Sequence, residues 1–385
     1  MSELKKNNIQ PHRIAMIMGK MVGGGLESVI LSIYHDIDKK KFQFDFIIDS
    51  DSTLIPYKEI ESLGGRIIEV PPYQKMGQHL SALIHIFKKE KYQIVHSNMS
   101  TLSLFSLFAA KVSGVPIRIS HNHNLLSPKD GLLKNASKSI LKLFANIFPT
   151  DYIAPTYETG RWLFGSKVAN QKLNILKNPV NVDKFKFDSE LRLQIRHNLG
   201  LSRDTVLVGN FARFVGYKNH IFLIEVARKL FSYNDNARLL LIGNGPEKIK
   251  IQKYVNKFHM ENKIYFLENK SNISDYYSAL DLFVLPSTKE AFGMVLIEAQ
   301  ISGLPVLVSQ GVTDEAMLSS ELWTKMSGWN TESWAKKILE VVSVENSRVT
   351  RKKEAMQMNF DGKNAALFLE SLYSERLNKI NEHIQ

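Results

Sequence analysis

Short apolar runs alternate with stretches whose apolar residues recur every three or four positions, and the alternation continues along nearly the whole chain. In the first half the runs Arg13–Met18, Phe44–Asp49, Arg66–Val70, Ile94–His96, Arg118–His123 and Tyr152–Ala154 read as buried strands. Between them Leu26–Ile37, Tyr57–Leu63, His79–Glu90 and Leu102–Ser113 read as helices; Leu26, Val29, Ile30 and Ile33 mark one helical face. The grammar restarts with strands at Val206–Phe211, Arg238–Ile242, Ile264–Phe266, Leu282–Leu285 and Pro305–Val308. Helices are expected at Ile221–Leu230, Pro246–Phe258, Ile273–Leu280 and Gly293–Ser302. Strand, helix, strand in this order predicts parallel sheets covered on both faces. Asn178-Pro179 interrupts the pattern within Lys177–Phe187. The expectation is therefore an α/β protein of two Rossmann-like domains, 1–185 and 186–360, with parallel sheets facing a central cleft. Ligands of such sheets sit at the carboxyl ends of the strands. Ala365, Ala366, Leu369, Leu372 and Tyr373 share a helical face within 361–385. That helix either packs back on the first domain or simply ends the second.

Composition narrows the class. The chain has 385 residues, 44% of them apolar, no cysteine and a formal net charge of +12. Disulfides, thiolate metal sites and cysteine nucleophiles are excluded. No apolar run reaches the ~18 residues of a spanning helix, so the expected address is the cytoplasm, with peripheral attachment to the inner face of the cell membrane as an extension. The first 185 residues hold 24 Lys+Arg against 15 Asp+Glu, the rest 26 against 23. A phosphorylated substrate, an anionic surface or nucleic acid would each suit that bias, as would a solubilising surface. Nucleic acid is disfavoured, because basic and aromatic residues do not interleave in any reader motif.

The most informative stretch is Pro286-Ser-Thr-Lys-Glu290-Ala-Phe-Gly293-Met-Val-Leu-Ile-Glu298-Ala. A buried strand ends, a loop follows, and a helix opens near Gly293, whose unpaired N–H groups suit a phosphate. Gly293 would let that ligand approach the backbone closely. Glu290 and Glu298 suit vicinal hydroxyls, since a carboxylate accepts two hydrogen bonds. Together they describe a nucleotide-sugar pocket; a solvent-facing Glu and a helix-dipole Glu are the plain alternative. Arg213 and Lys218 follow the restart strand, as a diphosphate would require or as ordinary surface cations. Gly243 and Gly245 form a strand–helix turn before Pro246, expected at the first helical position; no nicotinamide fingerprint is present. Gly23, Gly24 and Gly25 allow close backbone approach after the first strand, or merely a flexible turn. His121 and His123 alternate onto one face, without a third ligand at zinc spacing. One of them lining the cleft could bond a substrate hydroxyl; a satisfied core histidine is the alternative. Across 129–148 Lys134, Lys138 and Lys142 fall four apart beside Leu133, Ile140, Leu141, Phe144, Ile147 and Phe148. That helix suits an anionic membrane surface or turns its stripe into the core.

The Glu290–Glu298 context, Pro-Ser-x-x-Glu-Ala-Phe-Gly-x-x-x-x-Glu-Ala, resembles the signature of retaining family-four glycosyltransferases, which have the GT-B fold. Gly23-Gly24-Gly25-Leu-Glu and Arg118-Ile-Ser-His-Asn-His-Asn124 are most similar to bacterial exopolysaccharide and capsule members. The family usually carries Gly-Arg after the restart strand, where this chain has Asn210-Phe-Ala-Arg213. The resemblance implies that Arg213 and Lys218 bind the donor diphosphate and Glu298 the ribose hydroxyls. Glu290 and the backbone at Phe292, Gly293 and Met294 would meet the donor sugar and phosphate, with Val295 beside them on the substrate. His123 would contact the sugar, with His121 as the other candidate; Asn178, Gly243 and Gly245 would also line the substrate, and the glycine loop would lie near phosphate and acceptor. It also implies no cofactor and no metal, a nucleotide sugar such as a UDP-sugar as donor, and a lipid-linked or growing glycan as acceptor. A nucleotide-sugar epimerase or hydrolase of the same fold, and a non-catalytic membrane-surface protein, are the other function classes.

Overall fold

A computed structural model describes residues 10–123, 132–268, 272–290, 292–344 and 348–384. The chain divides into two compact units, 1–179 with 359–385 (unit 1) and 180–358 (unit 2). The break falls between Pro179 and Val180, and the terminal segment belongs to unit 1.

Unit 1 holds β1 (His12–Gly19), β2 (Phe42–Asp49), β3 (Arg66–Val70), β4 (Ile94–Ser97), β5 (Ile117–His121), β6 (Asp151–Ala154) and β7 (Leu173–Ile175). They form one parallel sheet in the order β3-β2-β1-β4-β5-β6-β7. Side chains alternate across a strand, and β1 separates the two cores accordingly. Ile14, Met16 and Met18 join Phe44, Phe46, Ile30, Ile33 and Tyr34 on one face. Ala15 and Ile17 join Val95, Leu83, Phe87 and Leu107 on the other. The first face is closed by the helix Gly362–Ile384, which inserts Ala365, Ala366, Leu369 and Tyr373. Burying a side chain such as Leu369 stabilises by roughly 1.5–3 kcal/mol. Asp45, fully buried on β2, is held by Arg13, Arg66 and the Tyr92 hydroxyl, which together keep its carboxyl below the usual range despite burial.

Unit 2 holds β8 (Val206–Phe211), β9 (Ala237–Ile242), β10 (Ile264–Leu267), β11 (Leu282–Leu285), β12 (Val306–Ser309) and β13 (Trp323–Met326). They form a second parallel sheet in the order β10-β9-β8-β11-β12-β13. Its core gathers Val208, Leu239, Leu241, Val284, Ile224 and the fully buried Trp334. Strand order reverses between β1 and β4 in unit 1 and between β8 and β11 in unit 2. Such switch points leave a crevice at the carboxyl ends of the strands. Among the described residues no helix is long and apolar enough to cross a membrane.

Candidate functional site

In unit 2 four loops meet at the switch point, and hydrogen bonds tie them together. After β8 the chain runs through Arg213 to a short turn at Gly216–Lys218. The Thr288 N–H, after β11, donates to the Tyr217 carbonyl at 2.8 Å, and the Glu290 N–H donates to the Gly311 carbonyl, after β12, at 3.0 Å. On the other side the Phe214 N–H donates to the Asn244 carbonyl at 3.0 Å, and the Glu247 N–H to the Phe214 carbonyl at 3.1 Å.

Glycines make this contact possible. A Cβ on Gly245 would lie 2.5 Å from the Phe214 carbonyl oxygen, and one on Gly243 2.1 Å from that of Ala212. Both N–H groups are already used, by the Leu267 carbonyl and the Asn244 side chain. These two glycines therefore seat the Arg213 loop, as a close-packed strand–helix turn. The helix after them is Lys248–Lys257, so Pro246 precedes it instead of opening it; its N-cap is Glu247.

The sequence-derived residues come together in pairs. The Lys218 ammonium bonds the Glu290 carboxylate, and Ser287 Oγ donates to the same oxygen at 3.2 Å. Both charged side chains are largely buried, which strengthens their attraction relative to a surface pair. Arg213 is exposed, with no side-chain hydrogen bond or ion pair among the described residues. Gly293, at φ +87°, turns the chain into the helix Met294–Ile301 and leaves its N-terminus without a side-chain cap. The Leu296 N–H returns to the Gly293 carbonyl at 2.8 Å, while the first-turn N–H groups, Met294 and Val295 among them, have no intrahelical acceptor by construction. Phe292 is buried beneath this turn. Four residues into the helix, Glu298 accepts the Tyr277 hydroxyl at 2.6 Å. Burial pushes the Glu298 carboxyl up to about 7, and Tyr277 holds it back in part. Near neutrality it is thus both donor and acceptor.

In unit 1 the Gly23–Gly25 turn follows β1. Gly24 is the N-cap of the helix Gly25–Asp36, and Glu27 folds back to accept the Val22 N–H at 2.8 Å. Gly23, at φ +74°, packs on Leu54. The loop is an ordered cap, held also by Met21 N–H on Ser52 Oγ at 3.0 Å.

β5 ends at His121, so His123 lies beyond the strand. The two rings nonetheless pack against each other, tilted by 37°, with centroids 3.8 Å apart. His121 is fully buried and bonds His96 Nε2 through Nδ1 at 3.1 Å; His96 Nδ1 meets the Tyr373 hydroxyl at 2.7 Å. His123 Nε2 meets Asn98 Oδ1 at 3.0 Å. Asn178, nearly buried, also acts on the His123 ring. Burial holds His96 down to about 3, His123 to about 4, against the pull of Asn178, and His121 well below the usual histidine value. All three are neutral at pH 7, which permits their close packing. His121 is thus a core residue of a relay, and His123 is the partly exposed member.

The sequence missed His96, Asn98, Tyr277, Tyr373 and Gly311. A place directly after β4 was the one available signal for Asn98. Of the basic segment 129–148, residues 129–131 lie outside the described ones, as do the side chains of Leu133 and Lys134. The helix Leu132–Leu143 and the turn after it leave Ile140, Leu143, Phe144 and Ile147 at 44–78% exposure, so that part of the stripe is not in the core. Phe108 and Val112 add exposed apolar surface; Phe108 packs on Phe148. Lys142 lies over the Trp162 ring.

Two family models match, glycosyltransferase family 4 over residues 23–184 and glycosyl transferases group 1 over residues 192–358. The chain belongs to the family-four type of glycosyltransferases that these two models describe, and its fold is GT-B. It is 28% identical over 380 residues to the putative glycosyltransferase EpsF of Bacillus subtilis, covering 95% of this chain and 97% of that protein. It is 25% identical to the UDP-Gal:alpha-D-GlcNAc-diphosphoundecaprenol alpha-1,3-galactosyltransferase of Escherichia coli, covering 80% and 82%. Among solved structures, Anabaena HepE in complex with UDP and glucose superposes with a TM-score of 0.77 at 18% identity, covering 94% and 99%.

Proposed function

We propose that this chain is a retaining glycosyltransferase that moves a sugar from a UDP-sugar to a lipid-linked or growing polysaccharide acceptor. The observation that carries the reading is the buried Lys218–Glu290 pair beside the uncapped helix at Gly293. A cation, an exposed arginine and free amide N–H groups at one strand-end crevice suit a diphosphate. UDP as the nucleotide draws support from the HepE complex, and a lipid-linked acceptor from the name of the Escherichia coli relative. The names of other relatives, a capsular polysaccharide glycosyltransferase of Staphylococcus aureus among them, support polysaccharide synthesis.

In this mechanism Arg213, Lys218 and the first-turn amides of Met294 and Val295 stabilise charge building on the leaving diphosphate. The diphosphate competes with Glu290 for Lys218, freeing the carboxylate toward the sugar hydroxyls. Glu298, oriented by Tyr277, holds the ribose. The departing phosphate oxygen takes the acceptor's proton, so the sugar leaves and is replaced on one face and configuration is retained. His123 and Asn178 serve the transferred sugar, and Gly23–Gly25 the acceptor side. No metal is required in this scheme.

The exposed apolar residues Phe108, Val112, Ile140, Leu143, Phe144 and Ile147, with Lys111, Lys138 and Lys142 nearby in sequence, form the face we assign to an anionic membrane surface. Attachment there would bring a cytoplasmic enzyme to a lipid-borne acceptor.

The test is a thermal-shift series with nucleotides and nucleotide sugars in the presence of a chelator. A ligand bound only by the folded state at a hundredfold excess over its Kd adds about 2.7 kcal/mol. A shift with UDP that is lost in Arg213→Ala, followed by sugar transfer with an α-anomeric product, is the expected result. No shift with any nucleotide overturns the reading. Consumption of UDP-sugar without an acceptor supports the epimerase or hydrolase class instead.

A further inference from the structure

The carboxyl end of β4 carries an amide that no sequence motif singled out. Asn98 is 3% exposed. Its backbone N–H donates to the Ile17 carbonyl at 3.0 Å, and its Nδ2 to the same carbonyl at 3.3 Å and to Met16 Sδ at 3.0 Å. The reverse orientation would turn the amide oxygen against the Ile17 carbonyl, two acceptors without a proton between them. Oδ1 therefore faces His123 Nε2, 3.0 Å away. An amide oxygen only accepts, so the proton of that bond sits on Nε2. We propose that Asn98 is a positioning residue, which holds His123 as the Nε2–H tautomer and makes His123 Nδ1 a fixed hydrogen-bond acceptor for a ligand hydroxyl.

The surroundings agree with an acceptor site. His123 Nδ1 and Asn178 Oδ1 are both buried and have no hydrogen-bond partner among the described residues, and Asn178 lies close enough to the ring to act on it; with the proton on Nε2 both are acceptors. Two acceptors in one small region call for a ligand that brings hydrogen to them, as the hydroxyls of a sugar do, and disfavour an anion. The His121 ring, packed against His123 at 3.8 Å, blocks a swing of His123 to its side, and His121 is itself braced by His96, which Tyr373 holds in turn. The titratable groups around His123 are His121 at the end of β5, His96 on β4 and Tyr373 on the terminal helix. All are uncharged near neutrality: burial holds the histidines down and raises Tyr373 well above the usual tyrosine value. The ring consequently carries one proton, and Asn98 decides where. For the reaction this inference rests on the transferase reading; the tautomer itself does not.

The experiment is long-range 1H–15N correlation of the full chain labelled at histidine, with His123 assigned by its loss in His123→Gln. At pH 7.5 the wild type should show His123 with Nε2 protonated and Nδ1 bare. Asn98→Ala should give mixed tautomers and lower kcat by about tenfold or more, with UDP affinity unchanged. Asn98→Asp keeps the acceptor and adds a negative charge, so it should retain the Nε2–H form and raise the His123 pKa. Turnover of that variant should then fall as pH drops, because the imidazolium offers no acceptor at Nδ1. A wild-type Nδ1–H form, or an unchanged tautomer in folded Asn98→Ala, overturns the proposal. If the chain transfers no sugar at all, the transferase reading fails while the tautomer result still decides this one.

Discussion

The two units share one grammar and differ in what they place at the strand ends. Unit 1 gathers uncharged groups there: three neutral imidazoles, two amides and a tyrosine hydroxyl. Unit 2 gathers charge: the Lys218–Glu290 pair, the exposed Arg213 and a carboxyl poised near neutrality. The same open sheet thus supports opposite electrostatic tasks: burial keeps the imidazoles of one neutral, while the other holds charge in a largely buried ion pair. The contrast also separates their jobs in the proposed reaction, orientation of hydroxyls in unit 1 and stabilisation of phosphate charge in unit 2.

The largest effect should come from the charged end. Lys218→Met should lower kcat by about 10²–10³, the cost of removing one preorganised group from developing charge. His123→Ala should lower transfer while leaving the UDP-induced thermal shift intact. Equal loss of nucleotide binding in both variants would erase the distinction between the units.

Next in size is the response to acid. His96, His121 and His123 are held below their unfolded value of about 6.5, so the folded state binds fewer protons. Their contribution is present above pH 6.5 and is lost as pH falls toward 4, by about 1.4 kcal/mol per pH unit for each histidine. In the same unit Asp45 is lowered and Asp49 raised, so their contributions run in opposite senses. Unit 2 behaves differently. Glu298 is raised to about 7, so its contribution is present below the unfolded value near 4.5 and is lost as pH rises through 7. His220, buried and lowered to about 4, acts in the opposite sense within the same unit. Hydrogen exchange at pH 5.5 and 7.5, corrected for intrinsic rates, should show unit 1 loosening on acidification and unit 2 changing little. Parallel loosening would refute the assignment.

Gly245→Ala should destabilise unit 2 by roughly 1–3 kcal/mol, because the added carbon would lie 2.5 Å from the Phe214 carbonyl oxygen and force backbone to shift. Chemical denaturation would measure it, and unit 1 exchange should not respond. The smallest effect on stability is expected for Leu143→Ser, at 78% exposure. It should change folding by less than about 0.5 kcal/mol yet reduce sedimentation with vesicles containing anionic lipid. Unchanged sedimentation would remove the membrane assignment from this face.

Much of the architecture was legible because its strands are continuous apolar runs, as buried parallel strands must be. β7 and β13 escaped because they are short and their positions half-buried, so no run marks them. The loop at Glu290–Glu298 was legible through its strand, turn and glycine. The partners of its carboxylates were not. Tyr277 sits in a helical stripe that reads as core, and Lys218 meets Glu290 only because β8 and β11 are neighbours across the switch point. His96 and Tyr373 are similar: each looks like an ordinary buried residue, and only the sheet order and the terminal helix bring them to His121.

That terminal helix also bears on how the chain matures. Tyr373 meets His96 across a separation of 277 residues, the most distant side-chain bond of the histidine group. Unit 2 is a continuous segment and can close its core as soon as it is made, whereas unit 1 lacks Ala365, Leu369 and Tyr373 until the whole of unit 2 has been made. Contacts this remote form slowly, because the loop-closure entropy comes before the reward. During synthesis the later half should therefore reach its native state first, while the earlier half waits with Ile30, Ile33 and Phe42 uncovered. Removing 359–385 should leave unit 2 folded and make unit 1 a client of chaperones.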